Sequence, residues 1–254
     1  MIITDPWFYI FAVPAVVCLG LSKGGFAGLG MVATPLLALI MPPLQAAAIL
    51  LPLLLIQDAL SAFVYRKQWD AWNLKVMLPG AVIGMGIAWL LVAHVSDGAI
   101  RLLVGVIALV FSANSWLRRN RPVEAPKRPS AALGWFWGGM SSFTSALIHV
   151  GAPPYFAFVL PQRLEKMVYV STTVWFFAVV NWLKVVPYFA LGQFSTNGLA
   201  TSVVLIPLAV VANMLGIWLV RRINEKAFYK ITYALVFILG AELTRQGIVD
   251  LFLR

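Results

Sequence analysis

The chain has 254 residues, 61% of them hydrophobic and 11% charged, with a formal net charge of +10. A soluble domain carries roughly 25% charged residues, so this chain lacks the polar skin of a water-soluble fold, and lipid is its natural solvent. The basic residues fall in short runs between apolar segments, a pattern that encodes membrane topology and excludes a nucleic-acid groove.

Apolar segments are predicted near 6–21, 25–41, 44–65, 74–94 and 99–117. The polar stretch RRNRPVEAPKRPS follows at 118–130, and further segments lie near 132–147, 151–160, 167–190, 198–220 and 227–247. A full membrane span takes about 20 residues. The last three segments of each half reach that length; the first two are short and are separated by a Gly- or Pro-rich interruption. No Lys or Arg precedes the first segment, so residues 1–22 read as mature protein rather than a cleaved signal. Cys18, the single cysteine, excludes a disulfide framework and a multi-cysteine metal site. No metal site or cofactor is expected.

The halves read as copies. Offset by 119 residues, 20–42 falls on 139–161 with seven identities in 23 positions. Offset by 128, Pro79 falls on Pro207 and VSDGAI at 95–100 falls on INEKAF at 223–228. Arg66, Lys67 and Lys75 mark one loop as cytoplasmic. Arg118, Arg119, Arg121, Lys127 and Arg128 do so for the linker, and Arg221, Arg222 and Lys226 for the last loop. The uncharged PPLQ at 42–45 and GQFSTNG at 192–198 read as outside, as does HVSDG at 94–98. Equivalent loops then face opposite sides, so the duplication is inverted. The expected fold is an all-α integral membrane protein. Residues 1–117 form a first repeat, 118–130 a basic cytoplasmic linker and 131–254 a second, inverted repeat. Each repeat is a broken-helix hairpin followed by three transmembrane helices, and both termini lie outside. Hairpin legs that dip part-way and legs that cross fully both fit the lengths.

The interruptions carry the chemistry. GLSKGGFAGLG at 20–30 puts Lys23 beside Gly24, Gly25 and Phe26, with Gly28 and Gly30 following. A helix break at membrane depth strands backbone polar groups and is tolerated where it lines a cavity or touches a ligand. Glycines let backbone approach that ligand, and a restarted helix offers free amides and its positive dipole end. The second interruption, GGMSSFTSALIHVGAPP at 138–154, supplies Ser141, Ser142, Thr144, Ser145, His149 and Gly151, with Pro153 and Pro154 in the first turn of a restarted helix. Together these form a donor-rich pocket suited to an oxyanion. Structural roles fit the same residues: close packing for Gly28 and Gly30, snorkelling for Lys23, packing for His149, back-bonding for the hydroxyls.

Polar residues within the long segments are further candidates. Asp58, with Gln57, could pair with Lys23, carry a coupling proton or be solvated. Asn181 and Lys184 lie in the copy of that segment, where snorkelling suits Lys184 equally well. Trp175 and Trp182 could wall the pocket or face lipid.

These residues resemble the sulfite exporter TauE/SafE family over about residues 7–246, through GLSKGGFAGLG…TPLL and GMSSFTSALIHVGAPP. The resemblance implies transport of small, often sulfur-containing anions such as sulfite or sulfoacetate across a bacterial inner membrane. It maps the family's Gly-rich stretch onto Gly20, Lys23, Gly24, Gly25 and Gly28, and the second motif onto Ser141, Ser142, His149, Gly151 and Pro154. The expected function is a secondary transporter by alternating access, not an enzyme. Its partners are a small anion and the bilayer, with no nucleic acid, and a homodimer is one open assembly. An intramembrane enzyme using Ser145 and His149 at i, i+4, or a non-transporting assembly factor, are the alternatives.

Overall fold

The structure, a computed structural model, describes residues 3, 5–26, 28–92, 94, 96–117 and 128–252. Helix α1 spans Pro6–Gly24, α2 Ala33–Ala38 behind a 3-10 turn at Leu29–Val32, α3 Pro43–Val64, α4 Ala71–Leu91 and α5 Asp97–Leu117. Helix α6 spans Ala131–Ile148, α7 Ala152–Val159 with a 3-10 turn at Leu160–Gln162, α8 Lys166–Ala190, α9 Thr196–Arg222 and α10 Glu225–Phe252. No strand occurs among the described residues. Of the expected linker only 128–130 is described; its other residues, 118–127, lie outside the described part.

Helix starts follow short polar side chains. Asp5, Asp70, Ser130 and Ser195 cap α1, α4, α6 and α9 by accepting from backbone N–H groups of the first turn. Helices α1, α3, α4, α8, α9 and α10 are each long and apolar enough to cross a membrane. The first of these departs from the short leading leg the sequence suggested. Helix α1 runs on through Ser22, Lys23 and Gly24, because the Lys23 charge meets a carboxylate instead of ending the helix. Broad apolar surface faces outward, as on α9 at Val203, Val211, Met214 and Trp218.

Contacts between helices come in matched pairs when α1–α5 is read against α6–α10. Helix α1 packs on α9 and α6 on α4; α3 packs on α9 and α8 on α4. Helices α3 and α8 pack on each other, as do α5 and α10. The tightest approaches use small residues, which let van der Waals contact replace a hydrophobic drive that lipid does not supply. A Cβ on Gly20 would stand 2.5 Å from the Ala212 Cβ, and one on Gly84 would stand 2.1 Å from the Gly139 carbonyl oxygen. Gly20 and Gly139 are related by the 119-residue offset, Gly84 and Ala212 by the 128-residue offset. Two apolar clusters result. One gathers α1, α2, α3 and part of α9 around Leu37, Leu50 and Leu53. The other gathers α4 to α8 and α10 around Met77, Tyr155 and Phe228.

Gly84→Leu should force α4 and α6 apart and cost at least the ~1–3 kcal/mol of an overpacked core. Gly86 meets nothing within 4 Å, so Gly86→Ala should leave the melting temperature in detergent within a degree or two, a surface-like change of under ~0.5 kcal/mol. Equal losses in the two variants would show that the α4–α6 contact does not hold the fold.

Candidate functional site

Both interruptions end their first helix on a residue with positive φ. Helix α1 stops at Gly25 (φ 140°), and the Phe26 N–H returns to the Leu21 carbonyl at 3.2 Å, a Schellman-type termination. The carbonyls stranded at that end are met from α3. The Ser61 hydroxyl donates to Lys23 O at 2.8 Å and the Tyr65 hydroxyl to Gly24 O at 2.7 Å. Asn213 of α9 donates to Ser61 Oγ at 2.9 Å and so holds that cap. Helix α6 stops at His149, in the left-handed region at φ 57°, where histidine is among the more tolerated non-glycine residues. Ser141 donates to Gly151 O at 2.7 Å across this second break.

Between the two breaks, and between the two apolar clusters, lies a cavity of about 60 Å³. A single water needs at least ~10–15 Å³ on this measure, so the space suits a few water molecules or one small ion. Lys23 and Gly25 enter it from the first break, His149 and Gly151 from the second, and Thr173, Phe177, Asn181 and Lys184 from α8.

A chain of charged and polar groups spans this cavity. Lys23 Nζ lies 2.6 Å from Asp58 Oδ1, the two side chains being 11% and 1% exposed. Asn181 Nδ2 donates to Asp58 Oδ2 at 2.7 Å, and Lys184 Nζ donates to Asn181 Oδ1 at 3.0 Å. Lys184 is 1% exposed. Two lysines are therefore linked to one carboxylate, Lys23 directly and Lys184 through the Asn181 amide. The Lys23–Asp58 contact is an ion pair by distance, whereas Lys184 donates a hydrogen bond. The Lys23 ammonium also sits 5.8 Å from the Phe177 ring centroid, within cation–π range. Neither ring nitrogen of His149 has a hydrogen-bond partner among the described residues.

Of the residues singled out in the sequence, Lys23, Gly25, Gly30, Ser145, His149, Gly151, Asn181 and Lys184 border the cavity, and Asp58 joins through its pairs. The others lie elsewhere. Gly24 packs against Gly216 of α9, where a Cβ would meet backbone at 2.5 Å. Phe26 is buried against Phe228 of α10. Thr144 donates back to Met140 O and Ser141 O. Ser142 is buried in α6. Gln57 donates to Ala209 O on α9. Trp175 packs half-buried against the larger apolar cluster, and Trp182 is 60% exposed.

The restarted helices also offer fewer amides than the sequence suggested. In the first break the Leu29 and Met31 N–H groups already bond Phe26 O and Gly28 O. In the second, Pro153 and Pro154 have no N–H to give. Positive charge at this cavity thus comes from lysine side chains.

Lys184 is the residue that sequence reasoning undervalued. It is buried in the cavity, not snorkelling. Thr173, Phe177, Asn181 and Lys184 recur at helical spacing on one face of α8, and that signal was present in the sequence. Ser145 and His149 both border the cavity, yet the histidine makes no bond to the serine hydroxyl, so a nucleophilic pair is not assembled.

Residues 12–243 match the family described as Sulfite exporter TauE/SafE. The chain belongs to the TauE/SafE family. No curated protein and no solved structure matches the chain at a significant level. Membership makes this multi-pass protein a membrane transporter of the sulfite exporter type.

In this TauE/SafE chain, Asp58→Asn leaves the largely buried Lys23 without its carboxylate and loosens the Asn181–Lys184 contact behind it. Removing one partner of a buried pair costs about 3–5 kcal/mol, so the melting temperature in detergent without added anion should fall sharply. Added sulfite should raise it more than in the unmodified protein. A variant as stable as the parent in anion-free buffer would mean that the lysines do not depend on Asp58.

Proposed function

We propose that the chain is a secondary transporter that holds one small sulfur oxyanion between its two broken hairpins, near the membrane midplane, and exposes it alternately to either side. Lys23 and Lys184 contribute the charge, Asn181 and His149 the directed polar contacts, and Gly25 and Gly151 the backbone approach. One observation carries this reading: the cavity is buried among apolar helices and is lined by two lysines with one carboxylate between them. A net positive pocket in a low-dielectric surround favours an anionic guest.

The size of the cavity favours sulfite, a sulfur with three oxygens, over the longer sulfoacetate, which adds a methylene and a carboxylate. Asp58 serves as the resident counter-anion of Lys23 when the substrate is absent, and is the candidate for proton coupling. Family membership also supports transport over catalysis. The matched contacts of the two halves support the inverted repeat over 1–117 and 131–254, the arrangement used for alternating access. In this reading the protein sits in a bacterial inner membrane, with the basic linker cytoplasmic and both termini outside.

Sulfite should raise the melting temperature of the purified protein, since a ligand bound only by the native state stabilises it. Lys23→Ala and Lys184→Met should each remove a charge-assisted contact of ~1.5–3 kcal/mol, which weakens Kd tenfold or more. Thiosulfate, sulfoacetate, taurine and short carboxylates, tested alongside, rank the anions. Undiminished sulfite binding in both lysine variants would refute this site.

Single cysteines test the topology in a Cys18→Ser background. Asn197→Cys should react with a membrane-impermeant reagent added outside whole cells, and Arg128→Cys only after the cells are opened. The reverse pattern would invert the orientation.

A further inference from the structure

The geometry points to a second anion site: a vestibule bordered by Arg66, Lys67 and Arg221 that collects the oxyanion and passes it to the central cavity through a constriction of Tyr65, Val170 and Val220. This inference rests on the transport reading above. The vestibule is a separate concavity of about 350 Å³, bordered also by Gln68 and Ser171. Its border holds three cations and no carboxylate among the described residues. The Arg66 guanidinium lies 4.4 Å from the Phe63 ring centroid, which holds it at the rim. None of the three cations takes part in an ion pair among the described residues.

Basic residues at a membrane surface ordinarily set topology. These three differ in bordering a hollow that abuts the central cavity through adjacent residues. Ser171 borders the vestibule, while its neighbour Val170 borders the central cavity. Arg221 borders the vestibule, and its neighbour Val220 presses on Gly25, where a Cβ would stand 2.7 Å from Val220 Cγ2 and 3.3 Å from Val170 Cγ1. Tyr65 borders the vestibule and donates to the carbonyl of Gly24, beside the same glycine. Tyr65, Val170 and Val220 are all buried. The partition is therefore one layer of side chains seated on the first helix break. Lys166 anchors that layer's edge by donating to the carbonyls of Val220 at 3.0 Å and Ile223 at 2.6 Å. A cationic hollow outside such a partition raises the local concentration of anions and the rate of their capture. Salt would screen this within about 8–10 Å at ordinary ionic strength.

Two measurements test the vestibule. In the first, Lys67→Gln/Arg221→Gln protein is reconstituted in zwitterionic phosphatidylcholine vesicles, and sulfite flux is measured from the basic side. KM should rise roughly tenfold at low salt and far less at high salt, while sulfite still shifts the melting temperature of the detergent-purified variant. An unchanged KM overturns the proposal. So does a KM change seen only when phosphatidylglycerol is added, because the cluster would then be a lipid-phosphate site.

The second measurement needs no transport. Gln68→Cys, at an exposed residue of the vestibule border, in the Cys18→Ser background should react faster with an anionic methanethiosulfonate than with a cationic one of similar size, by roughly tenfold at low salt. The preference should vanish in the Lys67→Gln/Arg221→Gln form. Equal rates for both reagents overturn the proposal. If the labelling preference holds while Lys23→Ala and Lys184→Met both leave sulfite binding intact, the central-site reading fails and the vestibule stands as an anion site.

Discussion

Two lysines are linked to one carboxylate inside a bundle of apolar helices, and much else in this protein follows from that imbalance. Moving a charge out of water costs several kcal/mol even after relaxation. Lys23 and Lys184 are affordable only because Asp58 and Asn181 tie them into one chain. Among the described residues this chain gives Lys23 a carboxylate and Lys184 an amide oxygen. In the transport reading proposed above, a mobile anion would supply the second counter-charge. Asp58 would then be a tethered stand-in that keeps Lys23 compensated while the site is empty.

The helix breaks are the second half of the same arrangement. Each opens space beside the lysines, and each strands backbone carbonyls that lipid cannot satisfy. The first break is capped from another helix, by Ser61 and by Tyr65 at the end of α3, while at the second Ser141 of α6 itself donates to Gly151 O. Such caps tie the position of α1 to α3, and α3 carries Asp58. A shift of α1 against α3 would therefore disturb the ion pair and the carbonyl caps together. That shared dependence is a physical basis for coupling site occupancy to helix movement, because an anion arriving at Lys23 competes with the contact that fixes α1.

Lysine side chains dominate where helix dipoles were the first expectation. Dipole sites need free amides at a helix start, and here one restart is a 3-10 turn with its amides already bonded while the other begins with two prolines. A lysine ammonium can also rotate its donors to follow a moving guest, whereas a fixed amide cannot. The small cavity and flexible donors suit a compact oxyanion.

Much of the fold was legible in the sequence. Long apolar segments have no alternative to helix in lipid, since only helices and closed barrels satisfy every backbone group there. The two interruptions were visible as glycine and proline clusters, and the family resemblance rested on those same stretches. Lys23, Gly25, His149, Gly151 and Asn181 were legible as cavity candidates because polarity or glycine within an apolar run needs a reason. Tertiary structure decided which way each helix turns. Lipid and protein core are equally apolar, so a membrane helix lacks the polar face that would reveal its orientation in a soluble fold. Only the packing of α1 on α9, and of α3 on α8, turned Lys184 into the cavity while sending Phe26 and Gly24 into helix contacts and Trp175 into the apolar cluster.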